Sequence, residues 1–258
     1  MYYYIMEPKS GKLASRQERI KDILGNLGIA GETVSPSAAR TIEELTHLGV
    51  VKGYSTIVAV GTEGLVNKII TALSIEKESP DVVLGVIPDD FASPVAKMIG
   101  VTDLHQACES LKSRKLAAID VCMIEPNKFF ITEATIDNPR NSEVFFTIEK
   151  IQGSALANQI SIKPGLEITM HDKNLEGSSP VRFYNWLFGK KREDIFSSYF
   201  KAKRLRIELE NYNLSIKVSG ETVAKAPATF YNRAKLLKII VARDKIKAEK
   251  ELYKRPKN

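Results

Sequence analysis

Only two cysteines, Cys108 and Cys122, occur in 258 residues. That is too few for a disulfide framework or a four-thiolate metal site, and they read as buried thiols in a reducing compartment. Histidine is almost as scarce. His47, His105 and His171 lie far apart, so the sequence offers neither a histidine metal cluster nor a Ser/His/Asp or Cys/His nucleophile. No window approaches the roughly 18 consecutive apolar residues that a membrane-spanning helix requires. The opening MYYYIMEPKSGK has no basic start and no long apolar stretch, so no secretion signal is expected. These absences predict a cytoplasmic protein, either soluble or peripheral at the inner face of the membrane.

What is present is an ordinary globular composition, 43% hydrophobic and 27% charged, with a formal charge of +7. Such a balance favours anionic partners: a nucleotide, a nucleic acid or an anionic membrane surface. Nucleic acid is the least favoured, because no stacking platform or binding motif accompanies the charge. No internal repeat and no low-complexity linker breaks the chain.

The first 120 residues alternate strand and helix patterns. YYYIM (2–6), GETVS (31–35), STIVAVG (55–61) and VVLGVIP (82–88) read as strands. Between and after them, helices are expected over 13–28, 37–53, 65–75, 92–99 and 103–113. This alternation predicts an α/β domain with a parallel sheet covered by helices on both faces. Residues 121–242 have a different texture: short β-branched and aromatic runs separated by polar turns. That is the pattern of an antiparallel sandwich or barrel, taken here as a β-sandwich and interrupted by an expected helical insertion at 180–201. A basic C-terminal tail, 243–258, completes the chain.

The segment VAVGTEGLVNKII (58–70) runs from an apolar strand through a glycine-bounded turn into a helix. Free N–H groups at such a helix start point toward an anion, typically phosphate. No P-loop lysine–hydroxyl pair follows, and a carboxylate, Glu63, stands inside the turn.

The α/β half followed by a β half, with Glu7-Pro8-Lys9-Ser10-Gly11-Lys12 after the first strand, resembles the diacylglycerol kinase/sphingosine kinase catalytic family. In that family the first strand ends in a motif like NPxSGxG and the third in VAVGGDGTLNEV. Here Gly61, Gly64 and Asn67 match, while Thr62, Glu63, Leu65 and Lys68 depart. IPDDFASPVAKMIGV (87–101) keeps the frame of the family's IPLGTGNDFARALGI. Ser219-Gly220-Glu221 aligns with the family's DGE tripeptide, and IKPGLEI (162–168) with its metal-site segment, Lys163 and Pro164 replacing carboxylates.

The resemblance implies an N-terminal NAD-kinase-like α/β domain and ATP-dependent phosphoryl transfer to a lipid hydroxyl, diacylglycerol-like. Lys9, Ser10, Ser35, Gly61, Thr62, Glu63, Gly64 and Asn67 would then surround the nucleotide. Glu221 would be the catalytic base. ATP is the implied cofactor; Mg²⁺ is the family's ion, but its segment is altered here and no metal ligand is assigned. The alternative is a catalytically inactive relative that binds nucleotide, lipid or a protein partner, to which Leu65, Lys163 and Ser219 point. A soluble NAD kinase is a third reading, matched less well by the C-terminal half. The aromatic and basic run FYNWLFGKKR (183–192) suggests a seat at an anionic membrane surface; the bland reading packs its rings on the β domain. A homo-oligomer is left open.

Overall fold

The computed structural model describes residues 1–8, 12–75, 82–138, 143–171, 197–208 and 214–242. Two compact units divide the chain: residues 1–119 with 235–258, and residues 120–234. The expected β half ran to 242, but the chain from Lys235 onward belongs to the first unit. The reason is one long strand, β16 (Ala228–Val241), which the sequence suggested as separate short runs. Its Lys238 and Ile239 pair with the first unit's fourth strand, a partnership that no local pattern encodes.

The first unit is α/β. Its strands β1 (Tyr2–Met6), β2 (Glu32–Val34), β3 (Thr56–Gly61) and β4 (Val83–Pro88) lie in the order β2-β1-β3-β4, followed by the end of β16. All these pairings are parallel. β3 and β4 are buried at all six positions and β1 at four of five, as strands covered on both faces should be. Of the helices, α2 (Ile42–Val51) packs on α3 (Glu63–Ile75), and α1 (Lys12–Asn26) on α5 (Leu104–Ser113). The short α4 (Pro94–Ile99) follows β4.

Helix starts moved from their expected places for identifiable reasons. α2 begins at Ile42 rather than 37, because Thr41 and Glu44 form a reciprocal capping box that satisfies two otherwise orphaned N–H groups. α3 begins at Glu63 rather than 65. Thr62 Oγ1 accepts the Leu65 N–H at 3.4 Å and the Thr62 carbonyl accepts the Val66 N–H at 3.2 Å. Gly64 therefore lies in the first turn of α3, not in a loop.

The second unit is an antiparallel sandwich. One sheet runs β12 (Ser197–Lys201), β11 (Glu167–His171), β10 (Gln159–Lys163), β7 (Ala134–Asp137), β14 (Ser215–Val218), β15 (Glu221–Lys225). The other places β9 (Ile151–Leu156), β8 (Glu143–Ile148) and β13 (Arg204–Glu208) beside the first part of β16, with β5 (Lys115–Ile124) and β6 (Lys128–Phe130) attached. Ile136, Ile160 and Ile168 from the first sheet meet Val144, Leu205 and Phe230 from the second in one buried core. Residues 197–201 of the expected helical insertion form the strand β12, bonded to β11 in register from Glu167–Lys201 to His171–Ser197. The rest of that insertion, 180–196, and the tail 243–258 lie outside the described residues.

Candidate functional site

In an open parallel sheet, ligands settle beyond the carboxyl ends of the strands, where the order reverses; for an order of the type 2-1-3-4 that is the crevice between β1 and β3. Register brings the strand ends into line there. Ile5 pairs with Val34, Met6 with Val60, and Gly61 with Pro88. Ser35, Glu7, Gly61 and Asp89 are therefore the residues at or just beyond the ends of four adjacent strands. Of the expected nucleotide residues, Ser35 is exposed at this edge, and Gly61, Thr62, Glu63 and Gly64 form the β3–α3 junction. Asn67 is buried one turn into α3. Lys9 and Ser10 lie outside the described residues.

The junction is held by charged groups whose partners were not legible. Gly61 has φ +155°, and a Cβ built there would lie 2.8 Å from Glu7 Oε2. The Thr62 N–H donates to Glu7 Oε2 at 3.2 Å, and the Thr62 hydroxyl donates to Glu7 Oε1. The glycine is favoured by its backbone conformation, and its lack of a Cβ leaves room for the carboxylate against it. Glu63 Oε1 accepts the Val95 N–H at 2.8 Å, so this carboxylate serves the first turn of α4, where Ser93 also caps Ala96.

Arg16 was not anticipated. Its Nη1 and Nη2 donate to the Asp89 and Pro88 carbonyls, both at 2.9 Å, and Nη1 lies 3.6 Å from the Asp89 carboxylate. A guanidinium fork of this kind fixes the end of β4 to α1. Its signal in the sequence was weak, one arginine on a polar helix face.

In the second unit, Val218 and Glu221 close the β14–β15 hairpin. Ser219 (φ 51°) and Gly220 (φ 81°) form its two-residue turn, the geometry of a type I′ hairpin, which demands positive φ twice. Glu221 is exposed at the first position of β15. At the β10–β11 turn, the Lys163 ammonium lies 4.0 Å from Glu133 Oε1, and the Ser161 hydroxyl donates to the same oxygen. A lysine and a proline at this turn do not fit a divalent cation. Among the described residues, no group of three His, Cys, Asp or Glu side chains is disposed to hold a metal ion, and no helix is long and apolar enough to cross a membrane.

A family model for the diacylglycerol kinase catalytic domain matches residues 1–124. A probable lipid kinase YegS-like protein of Enterobacter sp. (strain 638) is 35% identical over 100 residues, covering 38% of this chain and 32% of that protein. The probable lipid kinase YegS of Shigella flexneri is 34% identical over a stretch of the same length. The match thus spans about a third of the length of these relatives, 32% in each. Among solved structures, a diacylglycerol kinase from Bacillus anthracis str. Sterne has a TM-score of 0.74 at 15% identity, covering 94% of this chain and 97% of that one. A putative diacylglycerol kinase from the same organism gives 0.75 at 13%. At these identities the likeness is one of fold.

Proposed function

We propose that this chain, whose residues 1–124 match the family model for the diacylglycerol kinase catalytic domain, is a member of that family and transfers the γ-phosphoryl group of ATP to the hydroxyl of a diacylglycerol-like lipid. The observation that carries the reading is the position of the β3–α3 junction: the family-matched glycine turn lies at the crevice where an α/β sheet binds its ligand. Phosphoryl transfer asks mainly for positioning and charge stabilisation. N–H groups at the start of α3 supply donors for phosphate oxygens, assisted by the positive end of a 13-residue helix. The resemblance assigns Lys9 and Ser10 to the phosphates, and Ser35 and Asn67 to the nucleotide. Glu63 acts through α4, whose first turn it holds.

Glu221 is the base in this scheme. It takes the proton of the lipid hydroxyl as that oxygen bonds to the γ-phosphorus and the bond to the β-phosphate oxygen breaks, releasing ADP. Its exposure beside a two-residue hairpin turn suits a carboxylate that must meet a substrate. The net charge of +7 supports work at an anionic membrane surface, where such a lipid resides.

Thermal unfolding of the full chain with increasing ATP tests the nucleotide step. At 100 times its Kd a ligand stabilises the folded state by about 2.7 kcal/mol, equivalent to roughly 5–10 °C for a chain of this size. An unchanged midpoint at every ATP concentration, in a sample that unfolds cooperatively, contradicts the reading.

A further inference from the structure

The phosphate-facing turn already contains an anion. Glu7 occupies the first position of the segment that follows β1, where the resembling family has asparagine, and its carboxylate reaches across to the end of β3. Oε2 accepts the Thr62 N–H at 3.2 Å and Oε1 accepts the Thr62 hydroxyl. Those are the backbone and side-chain donors that an incoming phosphate at the start of α3 would use. Gly61 makes the approach feasible, since any Cβ there would meet Oε2 at 2.8 Å. The main chain of Glu7 is fixed as well: its N–H donates to the Val60 carbonyl at 3.2 Å, and the Gln17 amide donates to its carbonyl.

From this geometry we infer that Glu7 is a built-in competitor at the crevice: its carboxylate competes with phosphate for the Thr62 donors, and phosphate enters this turn only when Glu7 swings out. The inference rests on the phosphate reading of the β3–α3 junction. A carboxylate left in place would stand beside the phosphate oxygens as a like charge, and like-charge juxtaposition costs enough to exclude the wrong partner. Swinging out leaves the Thr62 N–H and hydroxyl available together, since one carboxylate holds both. Asparagine at this position would be too short and uncharged to compete in the same way.

Isothermal titration without added divalent cation tests this on the full chain, with pyrophosphate and ATP as separate titrants. Glu7→Gln removes the charge but keeps a hydrogen-bonding amide; Glu7→Ala removes both. The expected order of pyrophosphate affinity is Glu7→Ala, then Glu7→Gln, then wild type, with at least about a tenfold gain from wild type to Glu7→Ala. Thermal unfolding of each variant establishes that it is folded, and either variant alone decides the comparison with wild type. Wild type binding pyrophosphate as tightly as the folded variant, or no binding by the variant, overturns the inference. ATP no tighter than pyrophosphate in any of the proteins would instead count against the nucleotide reading, while the order among the proteins still decides the role of Glu7.

Discussion

The two units make strands by opposite burial rules. In the first, β3 and β4 are buried at every position, and no polar face exists to mark their registers. In the second, β13 alternates exposed and buried along its whole length and β11 does nearly the same. A parallel sheet sandwiched by helices needs the first pattern; a two-layer antiparallel sandwich needs the second. The difference extends to what specifies the packing. In the α/β unit, small residues set how closely layers approach: a Cβ at Gly85 would meet Leu111 Cδ2 at 2.6 Å, and one at Gly49 would meet Ile57 Cδ1 at 2.6 Å. In the sandwich, large side chains such as Phe130 and Phe230 fill the space between sheets.

The largest expected effects break each packing scheme in its own way. Phe230→Ala empties the sandwich core and is expected to lower stability by about 3–5 kcal/mol. Gly85→Val overfills the α/β unit instead, at a cost of about 1–3 kcal/mol. Denaturant titration reads both. A Gly85→Val protein as stable as wild type would show that the helix layer can move away from β4.

Next in size is an alkaline effect that both units share. Burial pushes the Cys108 thiol up to about 11 and the Cys122 thiol up to about 12, from an ordinary value of 9.0. Both thiols ionise more readily once unfolded. Their contribution to stability is therefore fully present below about pH 9 and is lost as pH rises through about 11 and 12. Denaturation midpoints measured from pH 8 upward should fall less steeply in a Cys108→Ala, Cys122→Ala double variant than in wild type.

The smallest effect is local to the first unit. Thr41→Ala removes the capping box of α2 and should cost about 1 kcal/mol, visible as a small loss in the unfolding midpoint. No shift would mean that tertiary contacts, rather than the cap, fix where α2 begins.

Much of this architecture was legible in the sequence because it is written locally. The apolar runs of β1, β3 and β4, the helix periods between them and the alternation after residue 120 each follow from a few neighbouring side chains. Gly61 also announced a turn. What it packs against was not legible, because Glu7 and Thr62 are 55 residues apart and only the strand order brings them together. β16 failed to read as one strand for a similar reason: its two ends serve different partners, β13 and β4. The departure at Leu65 has a plain cause in the fold. It is 1% exposed in α3, a core position, so its side chain serves packing where a threonine would have offered a hydroxyl. Ser219-Gly220-Glu221 was legible only through its resemblance to a family tripeptide; that Ser219 and Gly220, both at positive φ, form a turn is seen in the structure.

The most direct measurement of the central claim is transfer itself. The 258-residue chain is incubated with γ-labelled ATP, Mg²⁺ and vesicles containing diacylglycerol and anionic lipid, and the label is followed into the organic phase. Label in a lipid phosphomonoester, reduced at least about a hundredfold in a folded Glu221→Gln variant, is the expected result. Label that stays with the nucleotide, in a protein that ATP demonstrably stabilises, would contradict the claim and leave a nucleotide-binding protein without transferase activity.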